Sequence, residues 1–224
     1  ADRKGARERA LVWQYHFLSV LVQVYTFDAS CWMVNVWKDA VPALELFHSV
    51  PIPYNNTPDS NNYFKSVLEE LIQKLNDMGG HFSLSALNSS LDLYSRIRSI
   101  QYALYQHRYE GKSNFSAAEL MTIMDAGCLM PPEDYLDLLE KIPDLDSKNS
   151  EKPIPDDPVS VPVLVSGSLV ERPELMDMIE TCGGNIVADD LCNGLRQILP
   201  IDGKGETPMD RLIHRTMNRF PCPS

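Results

Sequence analysis

The sequence predicts an α/β protein that carries a helical segment within its frame. Three observations predict it. Residues 17–27 are rich in Val, Tyr and Phe and read as a buried strand. From residue 61 to residue 142 apolar side chains recur at helical spacing. A polar, proline-rich stretch at 143–158 then gives way to a strand–helix–strand pattern.

The first strand, Phe17 to Phe27, should end near Asp28, and a short helix is expected over Trp32 to Asp39. Pro42, Pro51 and Pro53 impose an extended stretch, with Pro58 in a loop. A helix from Asn61 to Asp77 follows, because Phe64, Val67, Leu68, Leu71, Ile72 and Leu75 share one face. Gly79-Gly80 ends it. A longer helix from Leu84 to Arg108 is capped by Ser83 or Ser85, with Leu87, Leu91, Tyr94, Ile97 and Leu104 as its apolar stripe. Ser116-Ala117-Ala118-Glu119 has the pattern of a capping box and opens a third helix ending at Gly127. Met121, Met124 and Met130 read as helix core. Pro131-Pro132 opens a fourth helix that runs to Ile142.

Beyond the linker, Val161 to Val165 is a short apolar strand. A helix starts at Pro173, with Leu175, Met178 and Ile179 as its buried stripe, and Gly183-Gly184 ends it. Asn185 to Ala188 is the next strand, and the spacing suits a parallel βαβ unit with a right-handed crossover. The expected divisions are therefore 1–58, 59–142, the linker 143–158, and 159–224, with no internal repeat.

A chain of 224 residues can build one large or two small cores, and 44% hydrophobic residues argue against wholesale disorder. The net charge of −11 argues against a nucleic-acid partner, since phosphate neutralisation needs a basic face. The basic clusters are Arg3–Arg9 and Arg211–Arg219. An anionic ligand would need a local site built from helix N-termini and a few Lys or Arg side chains. The Gly203-Lys204-Gly205 loop offers one cation, Lys204, for a phosphate contact.

Five widely spaced cysteines (Cys31, Cys128, Cys182, Cys192 and Cys222) make a poor disulfide framework and suit a reducing cytoplasm. None is paired as C-x-x-C, so no zinc ribbon or complete ferredoxin-type motif is present. The five histidines show no metal-binding spacing. The basic start and the apolar run from Leu11 to Phe27 imitate a signal peptide, but Gln14, His16 and Gln23 interrupt the run. It is too short and too polar to span a membrane. A start at Ala1 is as well explained by truncation as by a targeting signal.

The segment from Val163 to Arg196 is the most informative. It holds Ser166-Gly167-Ser168 at a strand end, then Ile179-Glu180 and Gly183-Gly184, then Asp189-Asp190-Leu191-Cys192, Gly194 and Arg196. Together with Pro221-Cys222-Pro223, Leu129-Met130-Pro131, Cys31, Trp37 and Val50-Pro51-Ile52-Pro53, it resembles the 2-hydroxyacyl-CoA dehydratase family, which includes benzoyl-CoA reductase subunits. The resemblance covers the chain from about residue 28 and is most specific in its C-terminal third.

The resemblance implies two doubly wound (Rossmann-like) α/β parts, both incomplete here, with a helical segment between them. It implies an oxygen-sensitive, cytoplasmic heterodimer that works anaerobically with a second dehydratase subunit. Each catalytic subunit would hold a 4Fe–4S cluster on cysteines, and an ATP-dependent activator would inject one electron. The dehydratases use that electron to make a ketyl radical from the thioester carbonyl of a 2-hydroxyacyl-CoA. The radical expels the 2-hydroxyl group and makes the 3-proton removable, giving an enoyl-CoA. A benzoyl-CoA reductase subunit and a non-catalytic scaffold subunit are the competing readings. No membrane partner is implied.

Cys31 matches a cluster-ligand position of the family, with Cys192 as the alternative. Cys31 can equally be an inert buried thiol, whereas Cys192 reads first as a strand-end packing residue. The family has a small or acidic residue after that first cysteine, whereas this chain has Trp32. Cys128 and Cys182 lie near helix ends and read as structural. Ser168, Asp190 and Arg196 are placed at the acyl-CoA pocket, because ligands bind beyond the carboxyl ends of parallel strands. The alternative for Asp190 and Arg196 is a turn residue paired with a surface charge. No catalytic residue is assigned. One ligand of the family pattern precedes Cys31 by more residues than stand upstream here, and another follows the Pro-Cys-Pro region. The chain is therefore expected to be a fragment that is inactive alone.

Overall fold

The computed structural model describes residues 18–25, 45–142, 161–170, 172–201 and 203–219. The expected helix at Trp32–Asp39, the linker at 143–158, Cys31 and Cys222 lie outside the described residues. The chain divides into two units, Ala1–Ser83 with Ser224, and Leu84–Pro223.

In the first unit β1 (Val20–Tyr25) and β2 (Leu46–Pro51) pair in parallel, Val20 opposite Leu46 and Tyr25 opposite Pro51. The prolines around β2 indicate only an extended stretch, yet Pro51 stands at the end of a strand, where its missing N–H is tolerated. His48 and Val50 are buried on the same side of β2, as the two-residue period requires. Helix α1 (Pro58–Asp77) packs on β2 and buries Phe64 and Val67. It begins earlier than expected. Thr57 caps it, its hydroxyl accepting from the Ser60 N–H at 3.2 Å, and Pro58 is its first residue rather than part of a loop. Proline suits that position because its φ is already helical and the N–H it lacks would have no partner.

The second unit is built on α2 (Leu84–Tyr109). Leu93, Ile97, Ile100 and Leu104 form the contact stripe, while Tyr94 is exposed. The apolar face is thus rotated from the expected one, toward α4 (Pro132–Leu139), with Tyr135 and Leu139 buried against it. Helix α3 (Ala117–Leu129) has the expected capping box, Ser116 and Glu119 each accepting from the other's backbone N–H. Met121 and Met124 are buried, as expected of core.

Gly127 does not end α3, which continues to Leu129. Its role is packing, since a Cβ there would lie 2.7 Å from the Tyr135 ring. The Tyr135 hydroxyl accepts from the buried Gln101 amide at 3.0 Å and donates to the Ile123 carbonyl at 2.8 Å, and burial raises its pKa. Tyr135→Phe should therefore cost about 1–3 kcal/mol, because Gln101 is left unsatisfied. Chemical denaturation checks this, and a loss below about 0.5 kcal/mol would contradict it.

Strand β3 (Val161–Ser166) and β4 (Gly184–Asp190) pair in parallel around α5 (Glu174–Thr181), as the strand–helix–strand pattern predicts. The buried face of α5 is not the expected one. Met176 is 2% exposed and packs with Ala117, Met121 and Ile186, while Leu175 and Met178 are exposed. Periodicity finds an apolar set, but α3 and β4 cover the flank carrying Met176 and Ile179. Two further helices, α6 (Leu195–Ile198) and α7 (Pro208–Met217), complete the unit. Helix α7 is not among the elements expected from sequence, although Thr207 and Asp210 form a capping box like that of α3, with Pro208 as the first helical residue. Among the described residues no helix is long and apolar enough to cross a membrane.

Candidate functional site at the strand ends

Because β3 and β4 are parallel, Ser166 and Asp190 stand side by side at their carboxyl ends. The loops beyond both strands meet there, with the Cys192 N–H donating to the Ser168 carbonyl at 2.7 Å. Arg196 joins them. Its Nε donates to Asp190 Oδ1 at 2.5 Å and its terminal nitrogen to Oδ2 at 2.6 Å, a two-pronged pair. The other terminal nitrogen reaches the Gly167 carbonyl at 3.3 Å and Cys192 Sγ at 3.7 Å. Ser166 Oγ donates to Asp190 Oδ2 at 3.2 Å. The Arg196 side chain is 8% exposed. This is a brace across both strand ends rather than a free cation.

The Arg196 hydrogen bonds hold the Asp190 carboxyl below its ordinary range, and the same pair raises the Arg196 pKa. Since the folded pKa of Asp190 is depressed, the pair's contribution is present above the unfolded value. It is lost as pH falls through the folded one. An NMR titration should accordingly show the Asp190 carboxyl still ionised where ordinary aspartates are half protonated, and an ordinary midpoint would contradict the brace.

The structure gives roles to residues to which the sequence reading assigns none. Asp189 is buried, and its Oδ1 accepts from the Leu191 N–H at 3.2 Å and the Leu195 N–H at 2.9 Å. Tyr105 faces it, and its hydroxyl pKa is pushed up chiefly by burial and further by Asp189. Buried Asn193 donates to Asp125 at 3.0 Å and to the Val170 carbonyl at 2.9 Å. The first aspartate and the asparagine therefore build the turn, and the second aspartate and the arginine brace its outer side.

Cys192 and Ser168 are exposed on this surface. Exposure corrects the reading of Cys192 as a strand-end packing residue. Cys128 and Cys182, placed near helix ends as expected, are also exposed free thiols. The helix start after Gly167 is unfavourable for an anion, because α5 carries Glu174 and Asp177 in its first turn and has no side-chain cap. Among the described residues no three His, Cys, Asp or Glu side chains form a group that could hold a metal ion. The described cysteines thus do not fit a complete cluster site.

Two curated relatives are similar to this chain. The (R)-phenyllactyl-CoA dehydratase beta subunit of Clostridium sporogenes is 23% identical over 221 residues, covering 95% of this chain and 56% of that protein. A benzoyl-CoA reductase subunit of Thauera aromatica is 26% identical over 167 residues, covering 70% of this chain and 40% of that protein. The chain spans about half the length of the curated relatives it matches. Residues 4–224 match the family described as 2-hydroxyglutaryl-CoA dehydratase, D-component, and the chain belongs to that family.

Proposed function

We propose that the chain is part of a subunit that dehydrates a 2-hydroxyacyl-CoA to an enoyl-CoA. A second dehydratase subunit and an ATP-dependent electron-donating activator are its partners, in the cytoplasm of an anaerobic cell. The observation that carries this reading is the family match over 4–224. The name of the phenyllactyl-CoA relative supports a 2-hydroxyacyl-CoA substrate. The name of the benzoyl-CoA relative supports the second reading, a benzoyl-CoA reductase subunit.

In this proposal the segments 1–58 and 159–224 belong to two doubly wound sheets, with 59–142 as the helical segment and 143–158 as linker. Ser168, Asp190 and Arg196 border the acyl-CoA pocket. Ser168 offers an exposed hydroxyl, while the Asp190–Arg196 pair fixes the wall on which it sits. For a 4Fe–4S cluster the chain contributes Cys31, or alternatively Cys192, and further thiolates come from elsewhere. At least three converging thiolates are needed, so residues 1–224 alone should be inactive.

The test is anaerobic reconstitution of the chain with iron and sulfide, then an assay with activator, ATP and either a 2-hydroxyacyl-CoA or benzoyl-CoA. Turnover by residues 1–224 alone would show that the missing ligands are wrongly placed. In the intact complex, Asp190→Ala or Arg196→Ala should lower turnover about 10- to 100-fold through misplacement of the pocket wall. Unchanged kinetics would remove both residues from the pocket. Enoyl-CoA as product supports the first reading, and a reduced benzoyl ring the second.

A further inference from the structure

We propose that a cleft between α2 and α7 binds a phosphate group. Arg98 and Ser95 of α2, Arg211 and Arg215 of α7, and the residues Ile201 and Gly203 line it, enclosing about 230 Å³. The cleft belongs to none of the strand-end residues described above.

Three guanidinium groups on one small concavity are a specific arrangement in a chain of net charge −11. Grouped in one concavity, they concentrate positive potential. Arg211 and Arg215 are held in place by groups of the protein itself. Arg211 donates to Asn88 Oδ1 at 2.7 Å and to Asp92 Oδ1 at 3.0 Å, and Arg215 donates to the Ile201 carbonyl at 2.7 Å. Such fixing lowers the ordering cost of binding. A planar guanidinium fork matches the oxygens of a phosphate, and Ser95 adds a hydroxyl.

The wall opposite α2 is equally fixed. A Cβ at Gly203 would lie 2.3 Å from the Arg211 carbonyl oxygen, so the backbone there rests directly on the first turn of α7. The volume is below the roughly 300–1,000 Å³ of a site that encloses a whole small molecule. It suits a phosphoryl headgroup whose remaining ligand lies outside.

The same chemistry belongs to inorganic phosphate, to a nucleotide and to the phosphate-bearing end of coenzyme A. Naming coenzyme A as the source rests on the acyl-CoA reading above, whereas phosphate binding does not.

The full chain is titrated by calorimetry with inorganic phosphate, ADP and 3′-phosphoadenosine 5′-diphosphate, at ionic strength matched with chloride. Saturable binding is expected, and Arg98→Gln should weaken it about tenfold or more. Ser95→Asp removes no arginine and places a carboxylate in the cleft, so it should abolish binding even if the Arg98 variant folds poorly. Circular dichroism verifies both variants. Tighter binding of the 3′-phosphorylated ligand supports coenzyme A as the source. Equal binding of all three leaves the phosphate site standing and removes that source. No saturable binding, or binding unchanged in a folded Ser95→Asp variant, overturns the proposal. That result beside acyl-CoA turnover by the complete enzyme overturns the cleft alone.

Discussion

Replacing Arg108 by Met is expected to destabilise the second unit by about 3–5 kcal/mol, the usual cost of stranding one member of a buried ion pair. Arg108 lies near the end of α2 with its side chain only 12% exposed. Its Nε donates to the Ile186 carbonyl of β4 at 2.7 Å, and a terminal nitrogen donates to the Phe115 carbonyl at 2.8 Å. The other terminal nitrogen pairs with Glu180 of α5, and the second Glu180 oxygen accepts from the Ala117 N–H at 3.5 Å. One side chain therefore ties α2, the start of α3, α5 and β4 together. Methionine fills similar length but leaves the Glu180 charge and two carbonyls without this donor. Glu180→Gln keeps an acceptor for Arg108 and should cost less than Arg108→Met. Urea denaturation of both variants decides this. A loss under about 1 kcal/mol for Arg108→Met would show that water replaces the pair without penalty.

How far such features are legible depends on their range along the chain. The capping box at Ser116 and Glu119 is contained within four residues, so the sequence displays it. The parallel pairing of β3 and β4 is legible because a strand, a helix and a strand in succession allow few other arrangements. Which flank of α5 is buried is not legible, because Ala117 and Met121 cover it from some sixty residues upstream. Arg108 is hidden for the same reason, since its partners stand at Phe115, Glu180 and Ile186. Helix α7 is not among the expected elements, yet it is legible on the same ground as α3, through the Thr207–Asp210 capping box and Met209, Leu212 and Ile213 at helical spacing. At the site, Asp190 and Arg196 are legible from their place after a strand. Asp189 and Asn193 are not, because Tyr105 and Asp125 make them structural from a distance.

Gly194→Ala is the second change expected to have a large effect, about 3 kcal/mol of lost stability by overpacking a buried turn. A Cβ at this position would stand 2.1 Å from Asp189 Oδ1 and 2.7 Å from its carboxyl carbon. Asp189 cannot swing aside cheaply. Its Oδ1 holds the Leu191 and Leu195 N–H groups, and the side chain is buried. Either the carboxylate leaves its donors or the turn opens, and an open turn moves Cys192 away from the Ser168 carbonyl and Arg196. The steric cause can be isolated by a double-mutant cycle. Asp189→Ala alone should destabilise by about 2–3 kcal/mol, because two backbone N–H groups lose their acceptor. In that background the carboxylate that the added methyl group would strike is gone, so Gly194→Ala should add less than about 1 kcal/mol. The alkylation rate of Cys192 gives a second readout, and it should change in Gly194→Ala while that of Cys182 does not. Full additivity of the two substitutions would show that Gly194 is required for its backbone conformation and not for the approach of Asp189.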